Sequence, residues 1–210
     1  TVRAKVVQLQ PGTRYFYRFV AGRDHSVIGN SKTAPAADAT PQQLRFAWFT
    51  CQDWSVNHWG AMELLAAEQE LDFTVHVGDY IYETVGAQFQ TGQVEPAHQP
   101  ITLPDGMPLA DGSTAALTLA DYRTLYRTYR SDARLQEVHR KFPFIAVWDD
   151  HEFSDDCWQD HQTYNNANQQ QTGRRRAANQ AWFEYMPVDM GDVAFDLDNA
   201  RYDNIRIYRD

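Results

Sequence analysis

Cysteine is scarce in this 210-residue sequence: Cys51 and Cys157 are the only two, too few for a disulfide framework though enough for a single bridge. Cations are scarce as well. Lys and Arg number 19 against 28 Asp and Glu, a net charge of -9, which disfavours nucleic-acid backbones and anionic membranes as main partners. A metal-bound anionic substrate stays open, because bound cations reverse the field locally. No apolar run approaches the ~20 residues that cross a bilayer, and no charged-then-apolar segment opens the chain, so a soluble mature protein is expected. There is no internal repeat, and the low-complexity content is the polar run from Asn165 to Gln171. What the sequence does contain is 43% hydrophobic and 13% aromatic residues, enough to bury a core of one domain or one and a half. It opens at Thr1 on residues that read as mid-strand, so a segment upstream, with room for a signal peptide, is expected to have been removed or left out.

Along the chain, residues 2–9 and 14–20 are β-rich runs around the turn signal Pro11-Gly12, half a sandwich rather than a whole one. Residues 33–41 have little to bury and read as a linker. From Leu44 the texture changes: residues 44–51 predict a strand, 57–70 a helix with Trp59, Met62, Leu65 and Ala66 on one face, and 72–78 a second buried strand. Strand, helix, strand at this length implies a parallel pair in an α/β domain. Residues 84–117 show no sustained period and read as a long loop, a lid or a plain insertion. After a Thr118 cap, with Asp121 three residues on, Tyr122, Leu125, Tyr126 and Tyr129 recur at helical spacing. Residues 143–148 give a third strand, 174–185 another helix that Pro187 ends, and 203–210 a strand just begun.

Metal-capable side chains gather at three strand ends: Cys51 with Asp53, Asp79 with Tyr82, and Asp149 and Asp150 with His151. In open α/β sheets, ligands collect beyond the carboxyl ends of strands. Hydrolysing a phosphoester near neutral pH calls for charge neutralisation at the phosphoryl oxygens and a water made acidic by metal. Thiolate and phenolate suit a trivalent ion and carboxylates a hard cation such as calcium, so a mixed site follows. An imidazole at the rim, His151, could stabilise the transition state or protonate the leaving oxygen.

The stretches Thr50-Cys51-Gln52, Gly78-Asp79-Tyr80-Ile81-Tyr82-Glu83, Tyr122-Arg123-x-Leu125-Tyr126 and Trp148-Asp149-Asp150-His151-Glu152 resemble, in order and spacing, the signatures of the PhoD-like alkaline phosphatase D family of the calcineurin-like metallophosphatase superfamily. Leu9-Gln10-Pro11-Gly12-Thr13-x-Tyr15 resembles the end of that family's N-terminal fibronectin-like sandwich. The resemblance implies an α/β fold: residues 44–210 as the N-terminal part of a metallophosphatase-type layered β-sandwich flanked by helices, a linker at 34–43, and residues 1–33 as the end of an all-β fibronectin-like domain. It implies phosphomonoesterase or phosphodiesterase activity with iron (Fe3+) and calcium (Ca2+), in a protein secreted to the periplasm or outside the cell by the twin-arginine route. Carried over by position, Cys51 and Tyr82 bind iron, Asp79 bridges the metals, Asp150 holds calcium and His151 is the catalytic imidazole; Asp53 is a further metal candidate. The family draws more ligands, including histidines, from a C-terminal half that this sequence lacks, which is expected to complete the domain.

Each of these residues also has a plain structural reading. Cys51 on composition alone is a small core residue, Asp79 can cap a turn, and Tyr80 and Tyr82 can be buried aromatics with bonded hydroxyls. His76 reads as a core histidine, while His58, His98, His139 and His161 read as structural or solvated. Arg174 to Arg176 read as a solvated helix face, the Tyr122 to Tyr129 stripe as core packing, and Cys157 as a core thiol or one end of a loop disulfide. Two functions compete with the phosphoesterase: a non-catalytic scaffold or inactive fragment of a metallophosphatase shell, and a metal-dependent hydrolase of another ester class.

Overall fold

A computed structural model describes residues 1–56, 59–91 and 95–189. After the turn at Pro11-Gly12, β1 (Arg14–Tyr17) pairs antiparallel with β4 (Gly29–Lys32), and the hairpin β2 (Val20–Ala21) and β3 (Asp24–His25) lies between them. The partner of β1 is therefore β4 and not the run at 2–9, which takes no strand conformation. The local hydrogen bonds explain why. Gly12 N–H donates to the Ala34 carbonyl at 2.8 Å and Thr13 N–H to Thr33 Oγ1 at 2.9 Å, so the turn is tied to the residues after β4. The opening run is held elsewhere: the Arg3 guanidinium donates to the carbonyls of Val188 (2.9 Å) and Met186 (2.6 Å).

The remaining elements are, in chain order, β5 (Phe46–Phe49), α1 (Gly60–Ala67), β6 (Phe73–His76), β7 (Thr84–Val85), β8 (Met107–Pro108), β9 (Thr114–Ala115), α2 (Leu119–Tyr129), α3 (Ala133–Lys141), β10 (Phe144–Ala146), β11 (His161–Gln162), β12 (Gln169–Gln170) and α4 (Thr172–Tyr185). β10, β6 and β5 form a parallel sheet in that order. In register, Ala47, Thr74 and Phe144 lie on one face with Phe49, His76 and Ala146. That face is packed: the Phe49 ring meets His76 edge-on at 4.8 Å, and Phe144 is 5.8 Å from Phe49. The opposite face carries Phe46, Trp48, Val75 and Ile145, and it is open, with Trp48 67% and Ile145 54% exposed. Parallel sheets are normally covered on both faces.

α1 is shorter than the apolar spacing suggests. It begins after Trp59, which sits in the left-handed region (φ 44) without a side-chain cap, and Glu68 ends it in extended conformation. The stretch 84–117 is not irregular throughout: β7, β9 and β8 form an antiparallel sheet of two-residue strands, too short to leave a period in the sequence. The capping box at Thr118 and Asp121 is present, and α2 buries Tyr122, Leu125, Tyr126 and Tyr129; it packs on α4, where Tyr126 stacks on Tyr185 at 5.4 Å, while Tyr129 lies beside Trp54 and Trp59. α3, capped by Asp132, is an element that the sequence spacing passes over. One expectation fails outright at α4, because Arg174 is buried rather than solvated. The predicted strand at 203–210 lies outside the described residues, and no described helix is long and apolar enough to cross a membrane.

Candidate functional site

Because β5, β6 and β10 run parallel, their carboxyl ends deliver Cys51, Asp79 and the segment Asp149 to His151 to one edge of the sheet. The approach is close enough to require glycine: a Cβ on Gly78 (φ +110) would stand 2.4 Å from Asp149 Cβ and 2.7 Å from Asp149 N. Cys51 (φ 55) and Asp79 (φ 57) both hold the left-handed backbone region, a strain of about 1–3 kcal/mol each that persists only where surrounding bonds enforce it. Those bonds are visible. Cys51 N–H donates to the Gly78 carbonyl at 3.3 Å and Gln52 N–H to the Asp79 carbonyl at 3.2 Å. The buried Glu152 carboxylate then accepts from the N–H groups of Asp79 (3.0 Å), Tyr80 (2.6 Å) and Asp149 (2.7 Å), which locks the second loop to the third.

Asp79 sits at the centre. Its Oδ2 accepts from the Cys51 thiol at 3.2 Å and its Oδ1 from the His151 backbone N–H at 3.4 Å. Among the described residues, two groups bring ligand atoms within 4.8 Å of one another: Asp79, Asp150 and His151, and Asp150, Asp155 and Asp156. Tyr82 places its ring 4.0 Å from that of His151, and Phe89 lies 5.9 Å from Tyr82 and 6.0 Å from His151, half-exposed at the rim. Tyr129 Oη accepts from Tyr82 N–H (3.1 Å) and Trp54 N–H (3.0 Å), so the α2 stripe also orients the first two loops. Asp53 is buried with both oxygens engaged, accepting from Ser55 N–H (2.6 Å) and Gln90 Nε2 (2.9 Å), and so anchors the turn that carries Phe89.

The acids of this site share one electrostatic condition. Burial pushes the Asp79 carboxyl up, and the charges of Asp150 and Asp149 add to that. Burial, then the negative charge of Asp79, raise Tyr82 far above the ordinary phenol range. Burial raises Cys51 as well, and raises Asp53 despite its bonds to Gln90 and Ser55. Acidic donors that oppose one another's ionisation, Asp79 and Asp53 buried, Tyr82 half-buried and Cys51 exposed at the edge, would be relieved by a cation among them, and this is how the donor set fits a metal. His151 goes the other way. Burial opposes its charge, but the Glu83 bond and the charges of Glu83, Asp79 and Asp150 outweigh it and lift the imidazole to about 9.

Several side chains that matter here carry no functional role in the sequence reading. Glu83 and Glu152 fall inside quoted motifs without an assigned role, and Asp155, Tyr164 and Arg174 fall outside them. His151 Nδ1 faces Glu83 Oε2 at 2.8 Å and Nε2 faces Asp155 Oδ1 at 3.4 Å. Three other described histidines have structural surroundings. His76 is fully buried and neutral, His98 stacks on Trp54 at 3.4 Å and bonds Asp132, and His139 bonds the hydroxyl of the buried Tyr80. Cys157 is a free thiol, and His58 lies outside the described residues.

Comparison with known proteins gives the family. The family model described as PhoD-like phosphatase matches residues 46–210. Alkaline phosphatase D of Bacillus subtilis (strain 168) is 34% identical over 195 residues, which make up 92% of this chain and 31% of that protein. A solved structure described as "Structure of PhoD" superposes with a TM-score of 0.74 at 31% identity, covering 96% of this chain and 35% of the other. The chain thus spans about a third of the length of these relatives. With the fold and most of its length in common with them, this chain belongs to the PhoD-like phosphatase family.

Proposed function

We propose that this chain contributes the N-terminal share of a secreted, metal-dependent phosphoester hydrolase site acting on phosphomonoesters or phosphodiesters. One observation carries the reading: Cys51, Asp79, Asp150 and His151 converge at the carboxyl ends of three parallel strands in a member of a phosphatase family. In this reading residues 44–210 belong to a layered metallophosphatase sandwich, 1–33 to the end of a fibronectin-like module, and 34–43 to a linker. Cys51 and Tyr82 would hold iron, Asp79 would lie between iron and calcium, and Asp150 would hold calcium, with Asp53 as a further candidate. Bound metals would supply neutralisation of the phosphoryl oxygens and an acidified water.

The chain's own groups account for the rest. Glu152 and Gly78 keep the second and third loops in contact, so Asp79 and Asp150 are presented together before any ligand arrives. His151, buried and held on its Nδ1 side, presents Nε2 to the departing ester oxygen and delivers a proton there. The rings of Tyr82 and Phe89 wall that side against water. The scaffold reading has no comparable support, since the matching relatives are described as phosphatases.

The test is elemental analysis for iron and calcium on the natural polypeptide purified without added metal or chelator, combined with hydrolysis of aryl phosphomonoesters and phosphodiesters. Asp79→Ala should lose metal and turnover together. Full hydrolysis by that variant would overturn the assignment.

A further inference from the structure

Glu83 is completely buried, yet three groups converge on its carboxylate. His151 Nδ1 lies 2.8 Å from Oε2, while Oε1 accepts from the Asp155 N–H at 2.8 Å and from the Tyr164 hydroxyl. The order of donors can be read off. Arg174, which has donors only, gives an N–H from Nη2 to the Tyr164 oxygen at 3.1 Å, so the Tyr164 hydroxyl proton is free to point at Glu83. A carboxylate that already takes protons from a backbone amide and a phenol acts as an acceptor toward the imidazole as well, so His151 keeps an Nδ1–H directed at Glu83, and Nε2, 3.4 Å from Asp155 Oδ1, is turned toward the site.

Arg174 itself is fixed on all sides. Nε donates to the Ala116 carbonyl at 2.6 Å and Nη2 to the Phe153 carbonyl at 3.1 Å, and the guanidinium lies over the rings of Phe153 and Tyr164 at 5.1 and 5.2 Å. The Phe153 carbonyl also takes the Tyr122 hydroxyl at 2.8 Å, which ties α2 to the turn that follows His151. A buried Arg and a buried Glu joined through a tyrosine form a neutral, fully bonded unit, and removing any member leaves a partner uncompensated.

We propose that Glu83, Tyr164 and Arg174 form a positioning relay that holds the Nδ1–H and ring orientation of His151, so that the imidazolium gives its Nε2 proton to the leaving oxygen and keeps the one on Nδ1. The proposal rests on the catalytic reading of His151 above. None of the three relay residues need touch substrate, and each acts through the imidazole.

The experiment compares wild type, His151→Asn, Glu83→Gln, Tyr164→Phe and Arg174→Lys in the natural full-length polypeptide, using phosphodiesters with nitrophenyl and alkyl leaving groups. Glu83→Gln should lower kcat by about 10- to 100-fold with KM little changed, the range seen when partners of working histidines are removed. The loss should be larger for the alkyl ester, whose leaving oxygen needs the proton more, and Tyr164→Phe and Arg174→Lys should move kcat in the same direction by less. Imidazole nitrogen spectra of the metal-stripped protein supply a second readout, in which the Nδ1–H signal that vanishes in His151→Asn should shift in Glu83→Gln. Should Glu83→Gln fail to fold, Tyr164→Phe keeps the ring and still breaks the relay. A kcat loss equal for both leaving groups, or kcat within twofold of wild type with an unmoved nitrogen signal, overturns the relay while His151→Asn remains inactive. An active His151→Asn instead overturns the catalytic reading on which the relay rests.

Discussion

Replacing His76 with phenylalanine should make the protein less sensitive to acid. His76 is fully buried on the packed face of the parallel sheet, and that burial lowers its pKa from the ordinary 6.5 to about 3. The folded protein therefore holds the imidazole neutral while the unfolded chain protonates it. Between pH 6.5 and about 3 the unfolded state binds more protons, so stability is lost as pH falls through this window and regained as it rises. Each pH unit costs about 1.4 kcal/mol, which gives roughly 2 kcal/mol by pH 5 and close to zero at pH 7.5. A phenyl ring fits among Phe49, Phe144 and Tyr80 and relieves the buried, unbonded Nε2, but it abandons the Gly78 N–H that Nδ1 accepts at 3.3 Å. That loss is a constant offset of about 1–3 kcal/mol and does not depend on pH. The assay is urea unfolding of both proteins from pH 7.5 to 5, followed by tryptophan fluorescence. The wild-type curve should fall relative to the variant by about 2 kcal/mol over this range. Parallel curves, within about 0.5 kcal/mol, would refute a neutral buried His76.

Gly78→Ala should destabilise the protein by at least about 3 kcal/mol and weaken metal retention, because the new methyl meets Asp149 in a left-handed backbone; loss below about 1 kcal/mol on denaturation would contradict the close approach. Asp121→Ala takes the acceptor from the N–H groups of Asp105, Leu117 and Thr118, and should cost about 2–3 kcal/mol while leaving turnover per folded molecule unchanged in a combined unfolding and activity assay. Phe89→Ala should raise KM for an aryl phosphodiester roughly fivefold, about 1 kcal/mol of ring contact, and leave KM for a small alkyl ester alone; equal KM changes for both would remove Phe89 from the substrate path.

Much of the site can be read from the sequence because the signals are local. A buried strand that ends in Gly-Asp or Asp-Asp-His states where its polar groups emerge, and the strand, helix, strand order makes the ends coincide. The Thr118 and Asp121 cap and the Tyr122 to Tyr129 stripe are local in the same sense. Arg174 shows what is hidden. Three consecutive arginines describe a charged helix start, and only the tertiary arrangement puts the first of them under Ala116, Phe153 and Tyr164. The run at 2–9 fails for the complementary reason, since its β-rich composition states a propensity and not a partner. The antiparallel sheet within 84–117 escapes because two-residue strands carry no alternation to detect.

The open face of the parallel sheet has a practical consequence at the bench. Phe46, Trp48, Val75 and Ile145 form a contiguous aromatic and aliphatic surface on which a fluorescent hydrophobic dye should light up and on which concentrated solutions of residues 1–210 should clump. Detergent or arginine in the purification buffer would mask it. Trp48→Lys and Ile145→Thr are the substitutions to try for soluble yield, because both side chains point away from the packed face and lie upstream of the loops that bear Cys51, Asp79 and His151.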